Sequence, residues 1–309
     1  MTRLLTRSLL LSVAAAALSG CSVFDRGFLS PAGPVAAATR DEFWLVCLIM
    51  LFVVGPVLLL TPLIAWHYRL SNTRSAYRPQ WGFNWWLEGL IWVPPVGIVV
   101  LLAVFLWRDT HQLDPYRPLP GNALPVQAIA ADWKWIFIYP QQGVATVNRL
   151  VIPIGRPVQL NLTSATVMQS LLIPRLSGQI YAMAGMRTKL NLQADRAGTF
   201  FGENVQFNGM HFQDQKFAVD AIDQAGFDRW MAQTRAQLTR LDAAEYQTLT
   251  RRDTLPQPLA FGAVDPTLFD RVVTMHQASG HSLELKTLPS RSMPMGVEEV
   301  MPDEGRKAP

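Results

Sequence analysis

The stretch LPVQAIAADWKWIFIYPQQGVATVNRLVIPIGRPVQLNL, residues 124–162, decides the fold of this chain. Its β-branched and aromatic residues come in short runs, and Gly or Pro stands between the runs. The predicted strands of this region are Val126–Ile129, Trp135–Ile138, Leu150–Ile152, Val158–Leu162 and Leu171–Ile173. Short strands with regular turn signals are typical of a β-sandwich or barrel, which we place at residues 120–223.

Two long apolar stretches precede the β-rich region. Phe43–Trp66 carries no charge, and Leu87–Trp107 carries only Glu88 near its start. Because about 20 helical residues cross the hydrocarbon core of a bilayer, the sequence predicts a transmembrane helical hairpin over residues 41–110. Most tryptophans of the hairpin stand near the ends of the two spans, where indole rings prefer the membrane interface.

The loop between the two spans fixes their orientation. It carries Arg69, Arg74 and Arg78 and no acidic residue. Short loops rich in Lys and Arg stay on the cytoplasmic side. The β-rich region that follows the second span is therefore predicted to lie outside the cytoplasm.

The first residues of the chain read as a targeting segment. Residues 1–20 combine early arginines with an apolar run, which predicts a signal peptide. The run LSGC at residues 18–21 resembles a bacterial lipobox, so Cys21 is the predicted acylated N-terminus of the mature chain. The alternative is an ordinary signal peptide, or an uncleaved anchor, that happens to contain a cysteine. Residues 21–40 are rich in Ala, Pro and Gly and are predicted to form a linker.

Composition excludes several classes of protein. The net charge is +4 and the pI about 9.3, yet no Lys/Arg-rich run with interleaved aromatic residues is present, which argues against nucleic-acid binding. The chain has 2 cysteines, both predicted to be at or near the membrane, so a disulfide framework is not expected. Cys47 is interpreted as a small apolar residue of the first span.

The end of the chain divides into two parts. Phe227, Trp230, Met231 and Thr234 recur at the spacing of an amphipathic helix, and further helical stretches follow. Residues 224–285 are therefore predicted to form a helical, aromatic-rich extension. Residues 286–309 have mixed charge, several prolines and no periodicity, which favours disorder.

Four motifs carry a resemblance to a known family: Asp132-Trp133-Lys134-Trp135, Thr163–Ser170, Ile173–Met186 and Thr110–Pro115. They resemble subunit II of haem–copper quinol oxidases of the cytochrome bo type, and the resemblance covers roughly residues 1–275. It implies a cupredoxin-like domain after the membrane hairpin, and hence a membrane-anchored, all-β fold class.

The resemblance also locates the positions that bind a copper pair in copper-bearing relatives. In this register Asn204 and Asn208 stand at the thiolate positions and Gln206 at the Glu position. Phe212 and Gln169 stand at the His positions, and Gln215 at the Met position. No cysteine follows Cys47, and a copper pair of this type needs soft ligands. The expectation is a domain that binds no metal, with these residues as a vestigial copper site.

Two histidines have more than one interpretation. His211 beside Met210 could suggest a new copper site, but with no thiolate nearby it is interpreted as a loop or interface residue. His111 follows the second span and is either an interfacial residue or a contact to another subunit.

Glu88 is the acidic residue within the predicted spans. Ionisable groups at membrane depth are costly and tend to be functional. The Glu88–Trp92 stretch resembles the family pattern in which this glutamate lies at the cytoplasmic entrance of a proton channel. The alternative is a side chain that snorkels to the interface and has no function in proton uptake.

The resemblance implies a non-redox subunit of an enzyme that oxidises ubiquinol, reduces oxygen to water and moves protons outward. Haems, copper and the quinol site would belong to subunit I, and this chain would carry no catalytic residue. Its expected partners are subunits I, III and IV and the lipid of the bacterial inner membrane, with the β-domain in the periplasm. The alternative function is that of a membrane-anchored, cupredoxin-like binding or assembly lipoprotein.

Overall fold

The computed structural model describes residues 27–73 and 80–275. The predicted signal peptide, Cys21, Arg74, Arg78 and the predicted disordered tail lie outside the described residues.

Two long helices form the predicted hairpin. Helix α1 spans Pro34–His67 and helix α2 spans Trp85–Gln112, with mean hydropathies of 2.8 and 2.5 over their most apolar windows. Both are long and apolar enough to cross a membrane. The predicted linker 21–40 is too long, because residues 34–40 already belong to α1. Pro34 starts that helix, since its fixed φ suits the first helical position, where the missing N–H has no intrahelical partner in any case.

The β-rich region forms two packed sheets. The strands are β1 Leu124–Ala131, β2 Lys134–Tyr139, β3 Val144–Val147, β4 Arg149–Pro153, β5 Val158–Ser164, β6 Gln169–Leu172, β7 Gln179–Ala182, β8 Thr188–Leu192, β9 Gly198–Asn204 and β10 Lys216–Ile222, joined by β12 Leu259–Phe261 from the C-terminal extension. One sheet has the order β12-β3-β2-β1-β5-β8 and the other the order β4-β10-β9-β6-β7. Parallel pairing of β1 with β5 and of β4 with β10 makes both sheets mixed. Four of the five predicted strand runs fall within these elements, and Leu171–Ile173 extends one residue beyond the end of β6. The sandwich prediction is confirmed.

Strand β2 holds the centre of the sandwich. Trp135, Phe137 and Tyr139 face the core between the sheets. The Tyr139 hydroxyl donates to the Val151 carbonyl at 2.9 Å and accepts from the Val151 N–H at 2.8 Å, which joins β2 to β4 in the other sheet. Burial raises the pKa of this phenol, so that it stays a neutral donor.

The C-terminal extension covers the other face of β2. Ile136 and Ile138 pack there with Leu249, Phe261 and further apolar side chains. The sequence predicts a helical extension, but the extension also contains strands. One of them, β12, pairs with the edge strand β3. Its elements are α3 Gln224–Arg235, β11 Arg240–Leu241, α4 Ala243–Leu249, β12 Leu259–Phe261, β13 Ala263–Val264 and α5, residues 268–275.

The segment just before α1 is bound to the sandwich. We call residues 30–33 the strap. The Ala32 N–H donates to the Arg175 carbonyl at 2.7 Å, and the Ala32 carbonyl accepts from the Asp195 N–H at 2.8 Å. A Cβ on Gly33 would lie 2.0 Å from the Gln193 carbonyl oxygen, so only glycine fits there. The strap therefore places the start of α1 directly against the β-domain.

Candidate functional site

Four amide side chains meet at one end of the sandwich, and we call them the amide cluster. Gln169 begins β6, Asn204 ends β9, Asn208 lies in the following loop and Gln215 directly precedes β10. Gln169 and Gln215 are 0% exposed, and both asparagines are buried. The antiparallel pairing of β6 with β9 and of β9 with β10 brings these strand ends together.

Gln215 is the centre of the cluster. Its Oε1 accepts from Asn204 Nδ2 at 3.0 Å and from Asn208 Nδ2 at 2.8 Å. Its Nε2 donates to Gln169 Oε1 at 2.5 Å and to the Ala131 carbonyl at 3.2 Å. Ala131 belongs to the other sheet, so this one side chain links both sheets and the loop after β9. Hydrogen bonds inside a dry interior are stronger than in water, so the bonds of Gln215 fix the position of the loop after β9.

Asn204 also organises the backbone around it. Its Oδ1 accepts from the N–H groups of Ser170 at 2.9 Å and Gln206 at 3.0 Å. Its Nδ2 donates to the Gln206 carbonyl at 2.8 Å. Both amide atoms of Asn204 are therefore occupied by groups of the chain.

The cluster continues to the surface through a charged residue. Gln169 Nε2 donates to the Thr166 hydroxyl at 3.2 Å, which donates to Asp132 Oδ1 at 2.8 Å. The buried Asp132 carboxylate also forms an ion pair with Arg252, whose Nε lies 3.0 Å from Asp132 Oδ2. The result is a continuous chain of polar contacts from an exposed arginine of the extension to the core.

The chemistry of these side chains does not fit a copper pair. Amide nitrogens are donors without a free lone pair, and most of the amide oxygens already accept hydrogen bonds. Asn208 Oδ1 is buried and has no partner among the described residues, but one amide oxygen is not a soft ligand set. No group of three or more His, Cys, Asp or Glu residues suited to a metal occurs within residues 27–73 and 80–275. The arrangement can act as a hydrogen-bonded cross-link between the two sheets.

The two remaining predicted positions lie outside the amide cluster. The Gln206 side chain makes no hydrogen bond to any described residue, and only its backbone contacts Asn204. Phe212 is partly buried in a 3₁₀ turn, Phe212–Asp214, and its ring packs on Phe207 at 5.9 Å. The structure thus links the side chains of four of the six predicted positions by hydrogen bonds. Phe212 lines a pocket beside Asn204 and Gln215, but its side chain and that of Gln206 are not part of the hydrogen-bonded cluster.

Trp133 lies beside the amide cluster and contacts His211 and Arg252. Its φ of 62° is in the left-handed region, which costs a non-glycine residue about 1–3 kcal/mol. The indole contacts His211 edge to face at 4.8 Å and lies under the Arg252 guanidinium at 5.6 Å. His211 Nδ1 also lies 3.1 Å from Asp214 Oδ2, so both sides of this histidine are engaged by protein groups. Met210 is 91% exposed.

Lys134 joins the extension to the sandwich. Its buried amine donates to the carbonyls of Leu249 at 3.0 Å and Arg251 at 2.9 Å. Burial lowers the pKa of this amine, although nearby Asp253 and Asp132 oppose the shift. Lys134 is therefore an anchoring residue rather than a surface charge.

Glu88 lies in the first turn of α2, separate from the amide cluster. Asn84 caps that helix and accepts from the N–H groups of Trp86 and Leu87. The Trp92 indole N–H donates to Glu88 Oε2 at 3.1 Å, one turn further along. The helix N-terminus favours a negative charge at this position. The Glu88 carboxylate is thus held at the end of a span. Both a proton-channel entrance and a snorkelling interfacial side chain require a carboxylate at this position.

His111 lies at the opposite end of α2. Its Nδ1 is 2.7 Å from the Trp107 carbonyl, and its ring packs on the Trp107 indole at 4.6 Å. Both contacts lie within one helix.

Sequence reasoning did not identify Arg252 or the role of Lys134. Arg252 follows another arginine in an irregular segment, and no local pattern marks it as the partner of Asp132. Lys134 lies between two tryptophans in an aromatic strand. A lysine at such a position is rarely buried unless it is paired, and this was the signal in the sequence that Lys134 has specific partners.

Comparisons with known proteins place these features in a family context. Residues 141–222 match the family model described as the periplasmic domain of cytochrome c oxidase subunit II. Subunit 2 of cytochrome bo(3) ubiquinol oxidase from Pseudomonas putida is 40% identical over 262 residues, 84% of this chain and 82% of the relative. Ubiquinol oxidase subunit 2 from Acetobacter aceti is 40% identical over 263 residues, 84% of each chain. Quinol oxidase subunit 2 from Bacillus subtilis is 39% identical over 236 residues, 75% of this chain and 73% of the relative.

Proposed function

Because this chain belongs to the family of quinol oxidase subunit 2, we propose that it is the non-redox subunit II of a ubiquinol oxidase of the cytochrome bo type. The complex would oxidise ubiquinol, reduce oxygen to water and move protons outward. Haems, copper and quinol would bind to subunit I, and this chain would contribute no catalytic centre. The observation that carries the proposal is the amide cluster, since hydrogen-bonded amides stand at positions where the resemblance places the metal ligands of copper-bearing relatives.

The test of the non-redox role is copper reconstitution of the purified full-length chain. We expect no intense visible absorption and no copper–thiolate signal in paramagnetic resonance after removal of loosely bound metal. A purple or blue charge-transfer band at near-stoichiometric copper would refute the proposal. Co-purification of haem with the chain then separates a quinol oxidase subunit from the alternative, an assembly lipoprotein that acts alone.

Subunit II would hold the complex together at the inner membrane, with subunits I, III and IV as partners and the β-domain in the periplasm. Two helices able to cross the bilayer support this placement. Acylation of Cys21 would add a lipid anchor. Mass spectrometry of the N-terminal peptide tests it, and an intact Met1 or an unmodified Cys21 would refute it.

Glu88 would form the entrance of a proton channel on the cytoplasmic side. A carboxylate at a channel mouth attracts protons and exchanges them with water, and steering of this kind changes rates by about tenfold or more. The test is Glu88→Gln in the purified complex, with haem content and subunit ratio checked first. We expect quinol-oxidase turnover to fall by about 3–30-fold while quinol affinity stays nearly unchanged.

The matched control is Glu245→Gln. Glu245 also lies in the first turn of a helix, but in α4 of the C-terminal extension. The Glu245→Gln variant removes the same charge from the first turn of a helix, so its turnover should equal that of the wild type. Equal turnover of Glu88→Gln and the wild type would leave Glu88 as an interfacial side chain.

A further inference from the structure

Two adjoining cavities lie at the outer end of the hairpin. The upper cavity, about 360 Å³, lies between the start of α1, the segment after α2 and strand β8, and its polar lining includes Thr39, Gln112 and Arg117. The lower cavity, about 730 Å³, is a mainly apolar cleft between α1 and α2. Leu113 and Pro115 line both cavities, so together they form one cleft with a polar upper part and an apolar lower part.

The depth of each part follows from the ends of the apolar spans. At a rise of about 1.5 Å per residue, Thr39 lies about 6 Å above Phe43, where the first span begins. Gln112 lies about 7.5 Å beyond Trp107, where the second span ends. The headgroup region extends about 5–8 Å on each side of the hydrocarbon core. The upper cavity is therefore at headgroup depth, and Leu45 and Val99 place the lower cleft within the outer leaflet.

The charges in the cleft are complementary to a zwitterionic headgroup. The Arg117 guanidinium makes no hydrogen bond or ion pair to another described residue and is free to bind a phosphate. Glu42 and Asp109 line the upper end of the apolar cleft, and Asp114 lines the upper cavity. Arg108 lies 3.6 Å from Asp109 and offsets part of this negative charge. Three carboxylates beside two arginines disfavour an anionic lipid and favour an ammonium group.

We propose that this cleft binds one membrane phospholipid with an ethanolamine-type headgroup, its phosphate at Arg117, its ammonium near the carboxylates and an acyl chain between α1 and α2. The proposal rests on the membrane placement proposed above. A transmembrane helix of a partner subunit is the competing occupant of the lower cleft. It would leave the Arg117 guanidinium in the adjoining polar cavity without a hydrogen-bonding partner, whereas a phospholipid fills both parts of the cleft.

The experiment counts phospholipids retained by the purified complex after exchange into detergent, by extraction and mass spectrometry. We expect Arg117→Ala to lower the retained ethanolamine lipid about fivefold at this site, since one arginine contributes about 1 kcal/mol to headgroup binding. The matched control, Arg229→Ala, removes an exposed arginine from α3 and should retain the lipid of the wild type. Equal retention in Arg117→Ala and the wild type would overturn the proposal.

A second arm tests the apolar part and the headgroup preference. Ala103→Phe fills the lower cleft without touching Arg117 and should also release the lipid. The double variant Glu42→Gln, Asp109→Asn should bind a phosphatidylglycerol-type lipid at least as well as an ethanolamine lipid, whereas the wild type should prefer the latter. A lipid count that Ala103→Phe leaves unchanged, or a wild type without headgroup preference, contradicts the assignment. Subunit ratio and haem content are read separately, so a chain that purifies without haem refutes the proposed function and not the lipid site.

Discussion

The β-domain and the helical hairpin differ in how their side chains are buried and in what they contact. In the β-domain, the polar residues of the amide cluster are buried and bonded to one another and to the backbone. In the hairpin, no residue of α2, all of which the structure describes, is buried, and α1 buries only Ala36. The β-domain is complete as a folded unit, whereas the hairpin has an apolar surface that only lipid or partner subunits can cover.

The difference predicts where a substitution acts. Removing one member of a buried polar network leaves its partners without hydrogen bonds, so the substitution lowers the local stability of the β-domain. A substitution on the hairpin changes contacts with the surroundings, so its effect appears in lipid binding, assembly or turnover. The following variants test this division, from the largest expected effect to the smallest.

Gln215→Leu should be the most damaging variant in the β-domain. It introduces an apolar side chain of similar size. Asn208 Nδ2, Gln169 Oε1 and the Ala131 carbonyl lose their Gln215 partner, and Asn204 Nδ2 keeps only its bond to the Gln206 carbonyl. At about 1–3 kcal/mol for each unsatisfied buried group, we expect the free energy of local opening to fall by at least about 3 kcal/mol. Hydrogen exchange of residues 204–215 in the purified complex measures this quantity.

Gln206→Ala is the control for that loop. Its side chain makes no hydrogen bond to a described residue, so exchange in the loop should stay within about 0.5 kcal/mol of the wild type. Similar exchange in Gln215→Leu and Gln206→Ala would contradict the role of the amide cluster as a cross-link.

Gly33→Ala tests the junction between the two regions. The added Cβ would meet the Gln193 carbonyl oxygen at 2.0 Å and the strap would have to move. Overpacking of this kind costs about 1–3 kcal/mol, and exchange at the Ala32 and Asp195 amides should increase accordingly. Gly27→Ala, which has open space around its Cβ, is the matched control. Unchanged protection in Gly33→Ala would mean that the strap is not a fixed attachment.

The sequence predicts elements whose signal is local. Strand β2 reads as a continuous apolar run because both of its faces are covered, one by the second sheet and one by the extension. The helix at Phe227 follows from its spacing, and Phe227, Met231 and Thr234 are indeed buried. Strand β12 escapes such reasoning because it is short and is stabilised by pairing with distant β3.

The site shows the same limit. The register of the loop after β9 indicates which residues stand at the ligand positions, but not that Gln215 lies at their centre or that Arg252 completes the chain to Asp132. Both facts depend on contacts between residues far apart in sequence. The strap shows a different limit, since Ala, Pro and Gly favour a linker by composition, whereas close packing against Gln193 gives the glycine at position 33 a specific role.

Lys134→Met should have an intermediate effect. Methionine keeps the length of the side chain but removes the donor to the Leu249 and Arg251 carbonyls. We expect a loss of about 1–2 kcal/mol, seen as faster exchange in α4 rather than in the amide cluster.

The pH dependence of this difference follows from the lowered pKa of Lys134. Because the folded protein holds the proton less tightly than the unfolded chain, the unfolded chain binds more protons between the lowered pKa and the ordinary lysine value of 10.5. The wild type should therefore gain stability relative to Lys134→Met as the pH rises through that window. A difference independent of pH would mean that burial does not act on this amine.

Trp92→Phe should have the smallest effect and sharpens the interpretation of the hairpin. It keeps an aromatic ring on α2 and removes the N–H that donates to Glu88 Oε2 at 3.1 Å. The carboxylate and its charge remain, so proton attraction to the proposed channel entrance is preserved and only the orientation of the carboxylate is released. A hydrogen bond to a charged group in a wet environment contributes little, and we expect quinol-oxidase turnover to fall by no more than about threefold, which corresponds to about 0.6 kcal/mol. If Trp92→Phe slowed turnover as much as Glu88→Gln, the two residues would act as one unit, and the charge alone would not explain the effect. If Glu88→Gln slowed turnover and Trp92→Phe did not, the charge at the end of α2 would be the feature that matters.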